Sequence, residues 1–216
     1  MNIALKICGM RQTAQILECE RLGVPYMGFI YYPASARFVG EDFVMPALVR
    51  AKKVGVMVNA TLEQISYYVR RDALTVVQLH GDETPNDCAA VREHLPVQVW
   101  KVFSVGDALP SVQLLKAYAP HVDAFLFDTA GAKRGGNGQA FRWQLLASYE
   151  LSTPIWLSGG LGLHNVAALL SFLENHDYLP VAGLDFNSRL EIAPANKDLQ
   201  KVQELLKYFE FKSEKI

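Results

Sequence analysis

Eight short runs along the chain are apolar and rich in β-branched or aromatic residues: IALKIC (3–8), YMGFI (26–30), KVGVMV (53–58), TVVQLH (75–80), VQVWKVF (97–103), VDAFLFD (122–128), PIWLS (154–158) and VAGLDF (181–186). Each is too short for a helix and predicts a strand. In the first, alternation puts Leu5 and Ile7 on one side and Lys6 and Cys8 on the other. Between the runs, apolar positions recur at helical spacing. TLEQISYYVRR opens with Thr61 and Gln64 three residues apart, the spacing of a capping box, and puts Leu62, Ile65 and Val69 on one face. TPNDCAAVREHL offers Thr84 as a cap with Pro85 at the first helical position. From about Asn196 a last helix carries a packing stripe of Leu199, Val202, Leu205, Leu206 and Phe209.

Strand and helix thus alternate about eight times, in units of roughly 27 residues, with no linker or break in composition. The pattern predicts an α/β protein with one domain spanning residues 1–216, a (β/α)8 TIM barrel. An open doubly wound sheet would normally have fewer strands and a phosphate loop after the first one, and CGMRQT is not such a loop. The long uncharged stretch LSTPIWLSGGLGLHNVAALLSFL is broken by Pro154, Gly159, Gly160, Gly162, His164 and Asn165. It reads as strand, glycine turn and helix rather than a membrane span.

Composition narrows the classes further. With 50% hydrophobic residues in 216, the chain can bury a substantial core. Its 21 basic and 22 acidic residues are interspersed and the net charge is -1, which argues against nucleic-acid or membrane-surface partners. Three cysteines without a CxxC or a His-rich segment suggest neither a disulfide framework nor a metal site, and they fit the cytoplasm. The N-terminus lacks the zones of a signal peptide.

Barrel chemistry sits at the carboxyl ends of the strands, so the candidates are the residues where each run stops. Cys8 ends the first. It is either a packed thiol or a base, and the second role needs a nearby cation to favour the thiolate, which Lys6 could supply. Lys6 could equally be an interior lysine paired with an acid. Asp128 ends the sixth run among apolar neighbours; desolvation there would keep it protonated as a general acid, whereas a cap or an ion pair would keep it ionised. AGAKRGGNGQAF (130–141) could be a lid over an anionic substrate or a plain flexible connection. Arg37 carries a fork suited to a carboxylate, and His80, with Gln78, lies near the end of the fourth run. LSGGLG puts Gly159 and Gly160 just before a helix, and Asp185 opens DFNSRLE, where Asn187, Ser188 and Arg189 follow the eighth run. Loops seven and eight are the recurring phosphate site of such barrels, which makes phosphate the inference carried best by position.

The segments KICGM, VQLHGDE, FDTAGAKRGGNGQAFRW, LSGGL with the nearby NV, and GLDFNSRLE leading to NKD follow in order from Lys6 to Asp198. Together they resemble the phosphoribosylanthranilate isomerases of tryptophan biosynthesis over essentially the whole chain. The resemblance implies an Amadori rearrangement of N-(5-phosphoribosyl)anthranilate to the 1-deoxyribulose phosphate, with no cofactor and no metal. It implies that Asp128 protonates the ring oxygen and Cys8 removes the proton at sugar C2. Arg37 would hold the anthranilate carboxylate, and Gly160, Ser188 and their neighbours the phosphate. His80, Gly159, Asp185, Asn187 and Arg189 complete the expected substrate-binding set. A stand-alone monomer or homodimer is expected.

Two departures stand out. The family usually has glycine where this chain has Arg189, and Pro-Gly where it has Pro194 and Ala195. The first bears on a phosphate loop, where Arg189 could add a charge; the second bears on a turn. The rival histidine-pathway isomerase would call for aspartate in place of Cys8 and a second glycine loop after the third or fourth strand. A non-catalytic sugar-phosphate binder would keep the glycine loops without needing Cys8 and Asp128 to be active.

Overall fold

A computed structural model describes residues 3–48, 50–129 and 142–213. Eight parallel strands close into a barrel: β1 Ala4–Ile7, β2 Tyr26–Ile30, β3 Lys52–Met57, β4 Val76–Leu79, β5 Gln98–Val105, β6 Ala124–Thr129, β7 Ile155–Leu157 and β8 Val181–Phe186. The ring closes where Lys6 lies opposite Asp185 in the β1–β8 register. The expected (β/α)8 barrel is therefore observed, and every predicted strand has its counterpart.

Alternation sorts the side chains into two layers. Tyr26, Val54, Val76, Trp100, Val102, Ala124, Leu126 and Trp156 pack inside the barrel. The Trp100 and Trp156 rings lie 4.4 Å apart, and Tyr26 meets Trp156 edge-on at 5.0 Å. A Cβ on Gly183 would run into the Trp156 ring, so a glycine on β8 makes room for this plug. Leu5, Ile7, Met27, Phe29, Val77, Leu79, Phe125 and Phe127 face outward into a larger core beneath the helices. Each such large side chain contributes roughly 1.5–3 kcal/mol when fully buried.

Helices α1 Thr13–Arg21, α2 Leu62–Asp72, α3 Pro85–His94, α4 Val112–Tyr118, α5 Val166–Glu174 and α6 Leu199–Ser213 cover the barrel. The capping box at α2 forms as expected, with Gln64 N–H donating to Thr61 Oγ1 at 3.2 Å and Thr61 N–H to Gln64 Oε1 at 2.9 Å. Thr84 caps α3, and Asp87 completes a second box.

Two expectations need correction. Helices do not follow all eight strands among the described residues: the segment after β2 contains Pro33, Gly40 and Pro46 and forms no helix, and Trp143–Ser148 after β6 is a 3₁₀ turn. The last helix begins at Leu199 rather than about Asn196. Asn196 and Lys197 form β10, paired antiparallel with β9 Glu191–Ala193 in a hairpin, and Asp198 caps the helix by accepting from Lys201 N–H at 3.3 Å. The glycine-rich run 130–141, with its expected lid role, lies outside the described residues.

Candidate active site

A cavity opens at the carboxyl ends of the strands. Cys8 after β1, Gln78 on β4, His80 after it, Asp128 on β6, Ser158 to Leu161 after β7, and Asp185, Asn187 and Ser188 on and after β8 all face it. Residues 120 positions apart thus reach one space because each ends a strand of the same ring.

Cys8 is 4% exposed, and its backbone N–H donates to Phe186 O at 2.8 Å, which extends the β1–β8 ladder by one step. Gly28 on β2 gives the thiol its room: a Cβ there would fall 2.7 Å from Cys8 Sγ and 3.0 Å from Lys6 Nζ. Lys6 is fully buried and pairs with Asp185 at 2.9 Å. Lys6 is thus the interior lysine paired with an acid, and it also stands beside the thiol, where its charge favours the thiolate without outweighing burial. Burial pushes the Cys8 thiol above its ordinary pKa; Lys6 and Lys197 oppose that push and Asp185 adds to it. Burial also raises the Asp185 carboxyl, against the pull of Lys6. Lys6 itself is raised, because Asp185 and Cys8 outweigh the burial that works to lower it. Asp185 Oδ1 and Gln78 Oε1 are buried side-chain oxygens that no protein donor reaches among the described residues. Such acceptors cost about 1–3 kcal/mol each unless a donor arrives.

Asp128 is separated from β1 by β7 and β8, so it faces the cavity from a different side than Cys8. Its Oδ2 lies 3.5 Å from His80 Nε2, which gives the histidine a partner at the acid rather than in the wall. Beside them the two expected phosphate loops meet. Gly159 and Gly160 adopt φ of 89° and 63°, and a Cβ on Gly159 would strike Thr129. Asn165 ties the loop from within, accepting from Gly162 N–H and donating to Gly160 O, both at 3.0 Å. Gly162 in turn abuts the Ser188–Leu190 turn, where a Cβ would sit 2.8 Å from Arg189 Cβ.

The two arginines stand apart from the cavity lining. Arg189 is exposed. The Arg37 fork is engaged by Glu191, with Nε 3.0 Å from both carboxylate oxygens and Nη2 2.7 Å from Oε2. Its Nε–Nη2 edge is therefore occupied, and Nη1 is the nitrogen left to reach a ligand. Glu191 also binds Lys197 Nζ at 2.7 Å and Ala195 N–H at 3.1 Å. Ala195, the departure from Pro-Gly, has a φ of 59° at the second central position of the β9–β10 turn, where glycine is favoured. Sequence reasoning assigned no role to Gly28, Asn165, Glu191 or Lys197. Asn165, Glu191 and Lys197 lie within the matched segments NV, GLDFNSRLE and NKD, which was the available signal.

Residues 5–208 match the family described as N-(5'phosphoribosyl)anthranilate (PRA) isomerase. The chain is 39% identical to the N-(5'-phosphoribosyl)anthranilate isomerase of Phocaeicola vulgatus over 90% of its own length and 91% of the relative's. It is 35% identical to that of Parabacteroides distasonis, over 94% and 91%. Among solved structures, phosphoribosyl anthranilate isomerase from Thermotoga maritima superposes with a TM-score of 0.78 at 26% identity, covering 95% of this chain and 97% of that one. Another, at 25% identity and a TM-score of 0.72 over 95% and 97%, is a phosphoribosyl anthranilate isomerase in complex with reduced 1-(o-carboxyphenylamino)-1-deoxyribulose 5-phosphate. A barrel whose residues 5–208 match this family, with a relative 39% identical over nine-tenths of its length, belongs to the N-(5'-phosphoribosyl)anthranilate isomerase family.

Proposed function

We propose that the protein carries out the Amadori rearrangement of N-(5'-phosphoribosyl)anthranilate in tryptophan biosynthesis with Asp128 as general acid and Cys8 as general base. The observation that carries the residue assignment is that both groups line one cavity from different sides, with two phosphate-type loops between them. The Asp128 carboxyl gives its proton to the furanose ring oxygen, the C1–O bond breaks, and the anilino nitrogen lone pair forms the Schiff base. The Cys8 thiolate takes the proton from C2, and the C2–H electron pair forms the enolamine. Tautomerisation then returns a proton to C1 and gives the aminoketone. No net oxidation occurs, and no cofactor or metal enters the scheme.

The phosphate rests against Gly159, Gly160, Asn187 and Ser188, and Arg37 offers Nη1 to the anthranilate carboxylate. The buried acceptors Asp185 Oδ1 and Gln78 Oε1 receive sugar hydroxyls, which supply the donors these oxygens lack. His80 bears on Asp128 and so on the ring-opening step. Arg189 steadies the phosphate loop from outside the cavity. The enzyme acts in the cytoplasm as a monomer or homodimer. No helix among the described residues is long and apolar enough to cross a membrane.

Turnover of the fluorescent substrate by the purified protein tests the reading. The wild type should consume it, and Cys8→Ala and Asp128→Asn should each lose about 10²–10⁴-fold in kcat while remaining folded. Near-normal turnover by either variant would remove that residue from the scheme, and an inert wild type would remove the scheme itself.

A further inference from the structure

Lys197 lies on β10, outside the barrel strands, yet its side chain is completely buried. Its ammonium donates to Glu191 Oε1 at 2.7 Å and to Asn187 Oδ1 at 2.9 Å, with Asn187 O at 3.4 Å. Glu191 is the carboxylate that grips the edge of Arg37. The three side chains converge on the residue after Cys8: a Cβ on Gly9 would fall 2.8 Å from Asn187 Oδ1, 2.9 Å from Arg37 Cδ and 3.4 Å from Lys197 Nζ. Gly9 has a φ of 75°, so the backbone there is glycine's for two reasons, conformation and clearance.

Charge counting shows what the cluster does. Lys6 and Asp185 cancel across the β1–β8 seam. Arg37 and Lys197 bring two positive charges against the single negative charge of Glu191. Burial lowers the Lys197 pKa, against the pull of Glu191 and Cys8, so while Lys197 holds its proton one positive charge is left over beside Cys8, in a region where burial makes charge interactions strong. Asp128 and His80 face the same cavity from across it. The Glu191 carboxyl is held below its ordinary pKa: burial works to raise it, and Arg37 and Lys197 outweigh that. It stays ionised and keeps both cations in place.

We propose that Lys197 is a positioning residue of the isomerase site: it aims Arg37 through Glu191, pins Asn187 at the phosphate side, and leaves one uncancelled positive charge beside Cys8. This rests on the reading of Cys8 as base and Arg37 as carboxylate ligand. The uncancelled charge is what a thiolate formed at Cys8, or the substrate's carboxylate at Arg37, neutralises. Asn187 is fixed by the same ammonium, so one lysine couples the base, the anthranilate end and the phosphate end.

The pH dependence of Cys8 alkylation by iodoacetamide, followed by peptide mass spectrometry on the free enzyme, reads the charge directly and needs no turnover. Lys197→Met should raise the pH midpoint of Cys8 alkylation by about 1 unit or more, and Lys197→Arg should restore it. Glu191→Gln should move the midpoint the opposite way, while raising KM because Arg37 loses its anchor. Structural damage alone would not give opposite signs in the two variants. Should Lys197→Met fail to fold, Lys197→Arg and Glu191→Gln still carry the comparison. A Cys8 midpoint unchanged in Glu191→Gln, or moved in the same direction in both variants, would overturn the proposal. An inert wild type or an active Cys8→Ala would instead overturn the reading on which it rests.

Discussion

Lys6–Asp185 and Lys101–Glu83 are both ion pairs of 2.9 Å with almost no exposed side-chain surface. They differ in which layer holds them and in how completely their atoms are used. Lys101 alternates with Trp100 and Val102 and so points away from the barrel interior. Its ammonium has three acceptors, Glu83 Oε2, Gly81 O and Leu79 O. Glu83 in turn receives Asn59 N–H at 2.8 Å and Gly81 N–H at 2.8 Å. That pair laces the loops after β3 and β4 together and leaves nothing over. Lys6–Asp185 lies inside the barrel, with Asp185 Oδ1 unpartnered and the Cys8 thiol beside the lysine. A saturated buried pair serves the fold; an unsaturated one, at a cavity, is a place where a substrate completes the hydrogen bonding.

The largest expected effect comes from breaking the saturated pair. Lys101→Met leaves Glu83 buried without its cation and should cost about 3–5 kcal/mol, read as a lower urea midpoint, with KM of the folded protein unchanged. Lys6→Met breaks the open pair and should cost the fold less, roughly 1–3 kcal/mol, because the Asp185 carboxyl is already raised by burial and takes up a proton. Its turnover should instead fall about 100-fold or more, since Cys8 loses the nearer of its opposing charges. Equal destabilisation with intact turnover in both variants would dissolve the distinction.

Smaller changes sharpen it. Arg37→Ala should raise KM about tenfold or more, because a charge-assisted contact to the substrate is lost, and should move the Cys8 alkylation midpoint upward as Lys197→Met does, because the same surplus positive charge goes. An unchanged KM would count against Nη1 as a substrate ligand. Ala195→Gly should stabilise the protein by up to about 1 kcal/mol, as a left-handed position is returned to the residue that adopts it freely. Chemical denaturation checks this, and no gain would mean that the turn tolerates alanine.

The strand periodicity was enough to count the barrel, and barrel position was enough to collect Cys8, His80, Asp128, Gly159, Gly160, Asp185, Asn187 and Ser188 around one cavity. These residues are legible because a strand end has a known place in the ring. Arg37 and Glu191 are separated by 154 positions, and their pairing depends on a hairpin whose strands are three and two residues long. No local pattern announces such a contact. Asn196 and Lys197 read as the start of a helix because the apolar stripe behind them is helical, and hairpin pairing overrode that continuation. Gly28 is an ordinary strand glycine by pattern, and only the closeness of Cys8 Sγ shows why it has no side chain.

In the proposed reaction Cys8 works as a thiolate in a pocket that burial has set against it. Its pKa is raised in the fold, so below that value each unit of pH should bring roughly tenfold more base form. The stability contribution has the opposite slope: the proton is held more tightly in the folded state, so stability is full below the unfolded pKa of about 8.5 and is lost as pH rises through the folded value. The most direct measurement sets the rising limb of kcat/KM against pH beside the alkylation of Cys8 against pH in the same free enzyme. The two curves should share one midpoint, above that of an ordinary thiol. A kcat/KM limb with a different midpoint, or one that survives in Cys8→Ala, would contradict it.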